Sequence, residues 1–247
     1  MNSSLRNTRH AAAFAAALVL GTAPAAAAEF SEAELYFELN HTDGDLGLHA
    51  SIDGGPYTEL EIEGPNGRRL LYIAAQGALA RQGLTQLFFE SAEPRFAELP
   101  PPAFFRRFPE GTYEISAESA SGVEFEAEVE LSHVMAAPAS GITVSGLPAA
   151  ENCDAPLPAV TTPVTIAWEP VTESHPDVGR PGAIEVAQYQ FFVQHGDVKL
   201  AVELPPDVTE FQVPADVIAL GDAFKFEIIA RTAAGNNTAV ESCFTLR

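Results

Sequence analysis

Basic residues are scarce in this sequence. It has 13 Lys and Arg against 34 Asp and Glu among 247 residues, and its formal net charge is −21. Proteins that bind nucleic acid need clustered Lys and Arg to neutralise phosphates, and anionic membrane surfaces attract basic segments for the same reason. The composition therefore argues against nucleic acid and anionic membranes as partners. It leaves cations, basic partners, or simple solubility through self-repulsion.

Long apolar runs are missing as well. The stretch from Ala11 to Ala23 is the longest, and it is too short to cross a bilayer, which takes about 20 apolar residues. It follows Arg6 and Arg9 and precedes Ala26-Ala27-Ala28, the pattern of a secretory signal peptide. We predict cleavage after Ala28 and export to the periplasm or the extracellular space, with no membrane span. Because no cysteine lies near this point, no lipid anchor is predicted either.

Cysteine is nearly absent, and so are catalytic motifs. Cys153 and Cys243 are the only cysteines, and an even count in an exported chain predicts one disulfide. No Gly-x-Ser-x-Gly elbow, His-Glu-x-x-His pair or phosphate-binding glycine loop occurs. We therefore predict a non-enzymatic binding or structural module with a protein or polysaccharide partner. A glycan-active enzyme or accessory domain that uses an Asp/Glu pair stays an alternative.

What the sequence does contain is a repeated two-residue alternation. Val164, Ile166 and Trp168 alternate with small or polar residues, which is typical of a half-buried strand, and the single tryptophan is a natural core anchor. Frequent Pro and Gly turns and no long helical period indicate an all-β protein. We predict two tandem β-sandwich domains, at 29–135 and 142–247, joined by a linker at 136–141.

The first predicted domain is an Ig-like sandwich of about a hundred residues. Its Phe-Pro-Glu-Gly-Thr-Tyr stretch, residues 108–113, resembles the start of the penultimate strand in bacterial Ig-like domains. Pro100-Pro101-Pro102 predicts one short helix over the aromatic and basic residues that follow, ending at Pro109. We expect the phenylalanines of that helix to close one end of the sandwich and Arg106 and Arg107 to point outward. A partner-docking patch is the alternative.

The second predicted domain resembles a fibronectin type III domain, and the resemblance covers residues 141–247. Trp168 matches the tryptophan of strand B and Tyr189 the tyrosine that opens strand C, while Leu220 is followed six residues later by an aromatic. That aromatic is Phe226, where the family usually has a tyrosine, so a hydrogen bond worth about 1 kcal/mol must be absent or replaced. The resemblance implies a fold and not a function, since one sandwich hosts many functions.

This resemblance also bears on the disulfide. In the family's topology the loop between strands A and B, which carries Cys153 here, lies at the same end as the C-terminal part of strand G, which carries Cys243. The resemblance thus implies that the two cysteines can meet. The chain as a whole resembles exported bacterial Ig-like and fibronectin III proteins of unassigned function, which implies no mechanism.

One candidate cation site lies in the turn between the first two strands. Asn40, Asp43 and Asp45 could supply oxygens to calcium as a cofactor, although the EF-hand pattern is not met. The alternative is that they only form the turn, with Gly44 and Gly47 at positive φ. A third hypothesis places a transition metal between His41, Asp43, Asp45 and His49.

A second candidate surface is rich in glutamate. Alternation places six glutamates on one face of the last two strands of the first domain: Glu114, Glu118, Glu124, Glu126, Glu128 and Glu130. This face either binds a cation or a basic partner, or is a solvated surface whose charge blocks aggregation. A periplasmic chaperone built from two Ig-like domains is a further alternative. It would need an exposed apolar edge strand, which the glutamates disfavour.

Overall fold

The computed structural model describes residues 27–247. The predicted signal peptide, residues 1–28, lies almost entirely outside the described residues. Ala28 and Glu29 form a two-residue strand that runs parallel to a later strand through Phe125 and Glu126. Cleavage after Ala28 would leave Glu29 in this strand.

The described chain is built from strands joined by turns and three short helices. The strands of its first part are β1 Ala28–Glu29, β2 Glu32–Asn40, β3 Asp45–Tyr57, β4 Glu59–Glu63, β5 Arg69–Ala74, β6 Leu84–Glu90, β7 Gly111–Glu118, β8 Glu124–Leu131 and β9 Val134–Ala136. Those of its second part are β10 Ser140–Val144, β11 Leu147–Pro148, β12 Ala159–Val160, β13 Thr165–Glu169, β14 Ser174–Gly179, β15 Val186–His195, β16 Val198–Leu204, β17 Glu210–Gln212, β18 Ala223–Thr232 and β19 Asn237–Leu246. The helices are α1 Gly77–Gln82, α2 Pro101–Phe105 and α3 Ala215–Ile218.

The first sandwich packs the five-stranded sheet β1-β8-β7-β4-β5 against strands β2, β3 and β6. Alternate residues of β2, such as Leu35 and Phe37, face residues of β7, such as Tyr113 and Ile115, in one core. A sheet buries one face and leaves the other in solvent, so the two-residue period of these strands predicts which side chains are inside. The all-β sandwich fold is confirmed.

Helix α2 closes one end of this core. Its Phe104 and Phe105 lie 5.9 and 5.2 Å from the ring of Phe37, measured between centroids, and both are buried. Arg106 and Arg107 are exposed, so the predicted plug with outward arginines is confirmed. The helix ends at Phe105 rather than reaching Pro109. The residues that follow it form tighter turns, with the Arg107 N–H donating to the Phe104 carbonyl at 2.9 Å.

The second sandwich packs the sheet β11-β10-β13-β17 against strands β16, β15, β18 and β19. Trp168 is 5% exposed, with its ring 5.4 Å from that of Tyr189 and 6.2 Å from that of Phe191, so its predicted role as a core anchor is confirmed. Phe226 packs in the same core. The hydroxyl of Tyr189 accepts a hydrogen bond from the Val171 N–H at 2.9 Å.

The two sandwiches share one sheet. Strand β19 pairs in parallel with β2, with Asn237 opposite Glu38 and Ala239 opposite Asn40, and the result is the continuous order β16-β15-β18-β19-β2-β3-β6. The segment 136–141 packs beside this junction: Ala136 and Ala139 are buried, and β9 pairs with β14. The chain therefore passes from one sandwich to the other through packed structure.

Candidate functional site

A highly charged surface lies on the outer face of the five-stranded sheet. The six glutamates predicted on β7 and β8 share this face, and three more from β4 join them, because β4 pairs with β7 in register. The nine are Glu59, Glu61, Glu63, Glu114, Glu118, Glu124, Glu126, Glu128 and Glu130. We call this surface the glutamate face. The alternation Glu59-Leu60-Glu61-Ile62-Glu63 is visible in the sequence, but its place beside β7 is not.

Like charges stand directly opposite one another on the glutamate face. Glu118 lies between Glu59 and Glu124, and Glu114 lies between Glu63 and Glu128. Like charges in such positions destabilise a strand pair. The facing carboxylates therefore repel one another, and this repulsion lowers the stability of the five-stranded sheet.

Arg69 of β5 reaches this face. Its Nε and Nη2 donate to the carboxylate of Glu61, the second at 2.9 Å, and this hydrogen bonding holds the pKa of Glu61 below its usual value. At the edge, the Tyr72 hydroxyl donates to Glu59 Oε2 at 2.7 Å. Within residues 27–247, the other eight glutamates of the face form no salt bridge. Two open depressions of about 290 and 760 Å³ lie between them.

The turn between β2 and β3 uses its polar residues to hold its own backbone. The side-chain oxygen of Asn40 accepts hydrogen bonds from the N–H groups of Thr42 and Asp43, at 3.0 and 3.1 Å, and Gly44 has a φ of +66°. Gly47 lies in β3 and lacks the positive φ expected of it. Calcium binding by Asn40, Asp43 and Asp45 stays a prediction.

The neighbouring charges act on the carboxyl group of Asp45. Burial, together with the charges of Glu93 and Asp43, raises the pKa of Asp45 from 3.8 to about 6. The two histidines of the transition-metal hypothesis have separate partners, since His41 Nδ1 lies 3.2 Å from His175 Nε2 and His49 Nε2 lies 2.8 Å from Glu93 Oε1. In the part of the chain that the structure describes, His41, Asp43, Asp45 and His49 do not form one ligand cluster.

The junction between the sandwiches is held by the turn from β18 to β19. Asn236 in this turn is 1% exposed. Its Oδ1 accepts from the Phe37 N–H at 2.9 Å, and its Nδ2 donates to the carbonyls of Ser132 and Val134 at 2.7 and 3.1 Å. One amide therefore connects β2, the end of β8 and β9 to the second sandwich. No sequence pattern marks Asn236 for this role, because all three partners are more than 100 positions away along the chain.

The predicted disulfide is confirmed, since Cys153 and Cys243 are bonded with their sulfurs 2.02 Å apart. It ties the loop after β11 to β19, the strand that joins the two sandwiches. Among the residues that the structure describes, no helix has the length and apolar character to cross a membrane.

Acidic residues also gather on the outer face of the shared sheet. Glu227 of β18 lies opposite Glu241 of β19. Lys199 Nζ is 3.9 Å from the carboxylate of Glu227, and Lys225 Nζ is 2.6 Å from that of Glu241. Burial, followed by the charge of Glu241, raises the pKa of Glu227 from 4.5 to about 7. The folded protein thus favours the neutral form of this carboxyl group.

We expect Glu227→Gln to stabilise the protein above pH 7 and to change little below pH 4.5. A carboxyl group whose pKa is raised on folding contributes stability that is complete below its unfolded pKa and is lost as the pH rises through its folded pKa. At pH 8 the substitution should raise the free energy of unfolding by about 3 kcal/mol, at about 1.4 kcal/mol for each unit of pKa between 4.5 and about 7. Urea unfolding at pH 4.5, 6 and 8 measures this. A gain that does not depend on pH would contradict it.

No model of a known protein family matches the chain, and the curated proteins contain no match. Among solved structures, the chain is similar to a segment of two fibronectin type III domains from chicken tenascin, with 13% identity, coverage of 87% of this chain and 98% of that chain, and a TM-score of 0.31. It is also similar to the ligand-binding domain of human OSCAR, with 11% identity, coverage of 84% and 96%, and a TM-score of 0.27. A third similar structure is that of a bacterial ice-binding adhesin, with 11% identity, coverage of 89% of this chain and 65% of that chain, and a TM-score of 0.25. The sandwich fold rests on the strand order and the two cores described above.

Proposed function

We propose that the chain is an exported, non-enzymatic binding module whose glutamate face receives a basic partner. The observation that carries this proposal is the placement of nine glutamates on three adjacent strands, where one arginine neutralises one of them. A surface of one sign raises the local concentration of oppositely charged ligands and speeds their association. A basic partner would also relieve the repulsion between the facing carboxylates.

The proposed organisation is two domains, 29–135 and 142–247, that act as one body. The parallel pairing of β19 with β2 and the buried amide of Asn236 support it. The glutamate face would then be held in a fixed orientation to the second sandwich, as suits a structural or binding module. Export is supported by the signal-like N-terminus and the disulfide, since disulfides persist in oxidising compartments. N-terminal sequencing of the exported protein would test the cleavage after Ala28.

Charge neutralisation on β8 tests the proposed binding. The test variant replaces Glu124, Glu126, Glu128 and Glu130 with Gln. The control replaces the same number of exposed glutamates of the second sandwich: Glu173, Glu185, Glu203 and Glu210. With a lysine-rich peptide as the probe, we expect the first variant to bind at least tenfold more weakly and the control to bind within about twofold of wild type. Equal losses in the two variants would show that net charge alone attracts the peptide.

The same β8 variant should be more stable than wild type. The four substitutions remove two facing pairs of like charges, Glu118 with Glu124 and Glu114 with Glu128. Each such pair costs tenths of a kcal/mol, so the free energy of unfolding should rise by about 0.5 kcal/mol at low ionic strength. Salt screens exposed charges, and the gain should therefore shrink in 1 M NaCl. Urea unfolding at the two salt concentrations measures it, and a destabilised variant would disprove the repulsion.

A further inference from the structure

Three potential metal ligands converge on the outer face of the first sandwich, apart from the glutamate face. His49 of β3 and Glu90, the last residue of β6, are direct cross-strand partners. Glu93 follows in the next loop and places Oε1 2.8 Å from His49 Nε2. One ligand atom from each of the three residues lies within 4.8 Å of the other two.

The fold holds the loop that carries Glu93 at both of its ends. At the start, the Ser91 N–H donates to the Leu48 carbonyl, and Ser91 Oγ accepts from the Leu48 N–H, both at 2.9 Å. At the end, the Phe96 N–H donates to the Gly44 carbonyl at 2.7 Å. Ligands supported in this way keep their geometry before the ion arrives.

Gly47 makes room for the carboxylate of Glu93. A Cβ at position 47 would overlap the Glu93 side chain, so this strand position needs glycine for close approach and not for an unusual φ. The ring of Tyr36 lies 5.5 Å from that of His49, and the ring of Phe88 lies 6.5 Å from it. His49 is 3% exposed, and Glu90 is exposed. The cluster therefore has a buried nitrogen ligand and a side open to solvent.

We propose that His49, Glu90 and Glu93 bind one divalent transition-metal ion, with zinc as the preferred ion. Imidazole nitrogen together with carboxylate oxygen suits zinc, whereas calcium takes six to eight oxygens. Zinc would bind the lone pair of His49 Nε2 in place of the hydrogen that Nε2 shares with Glu93 Oε1, and the ring would carry its one hydrogen on Nδ1 and stay a neutral imidazole. Three protein ligands leave one position of a tetrahedral zinc ion for water or for a group from a partner.

Zinc titration of the EDTA-treated mature protein tests the proposal. Isothermal calorimetry should give one site per chain. The thermal unfolding midpoint should rise by several degrees, since a ligand that binds only the folded state stabilises it. X-ray absorption should show nitrogen and oxygen neighbours at about 2.0–2.2 Å.

Glu90→Gln is the decisive variant, because Glu90 is exposed and its side chain makes no hydrogen bond within the described residues. It should fold as wild type does and bind zinc at least tenfold more weakly. Glu98→Gln, an exposed glutamate with the same change of charge, is the matched control and should bind as wild type does. An unchanged zinc affinity in Glu90→Gln would overturn the proposal. So would a loss of zinc binding in the variant with four β8 substitutions, or the absence of any binding heat with the wild-type protein.

Discussion

Replacing Asn236 with Ala is expected to lower the free energy of unfolding by about 3 kcal/mol. The substitution removes three hydrogen bonds at a buried position and leaves the Phe37 N–H and the carbonyls of Ser132 and Val134 without that partner. A buried polar group without a partner costs about 1–3 kcal/mol. Because these hydrogen bonds cross between the sandwiches, the substitution should destabilise the junction before it destabilises either core.

Urea unfolding measured by circular dichroism gives the size of this effect. Asn66→Ala is the matched control, since Asn66 accepts one exposed hydrogen bond from the Arg68 N–H in its own turn, and it should cost less than about 1 kcal/mol. NMR spectra of the Asn236→Ala protein should show shifted amide signals at Phe37 and along β9. A stability within about 0.5 kcal/mol of wild type would show that Asn236 does not hold the junction.

Removal of the disulfide is expected to lower the free energy of unfolding by about 4–5 kcal/mol, the largest of the predicted effects. Cys153 and Cys243 are 90 positions apart, and the chain-entropy account assigns a loop of this length a loss of that order when it is opened. The double variant Cys153→Ser, Cys243→Ser should match the reduced wild-type protein. A difference of more than about 1 kcal/mol between the two would indicate that the serines add a packing cost.

The disulfide effect should also reach the first sandwich. Cys243 lies on β19, and the same strand pairs with β2 through Asn237, Thr238 and Ala239. Loosening β19 therefore weakens the edge of β2 as well as the second core. We expect native-state hydrogen exchange of the β2 amides Leu39 and Asn40 to speed up in the disulfide-free variant. Unchanged exchange there would mean that the two sandwiches open independently.

Patterns that depend on near neighbours in the chain predicted much of this protein. The alternation around Trp168 and in β2, β7 and β8 identified strands and their buried faces, because a strand turns successive side chains to opposite sides. Three prolines marked the start of α2. Helix α1 was not predicted from the sequence. It buries none of its residues, so its sequence has no apolar residues at helical spacing.

Features that depend on distant segments could not be predicted. Glu59, Glu61 and Glu63 enter the glutamate face only because β4 lies beside β7. Glu93 meets His49 only because the loop after β6 folds back over β3. Neither contact leaves a local pattern, since the paired residues are about 40–60 positions apart and no periodicity spans such a gap.

The sequence by itself determined the all-β class, the two cores and the one disulfide, because side-chain alternation and a cysteine pair are local or countable properties. Only the tertiary structure decided that the sandwiches share a sheet, that Asn236 holds their junction and that His49 meets Glu90 and Glu93. The physical reason is that these features come from the pairing of strand edges. Backbone groups at an edge can pair with any strand, and the packing of the whole chain selects the partner.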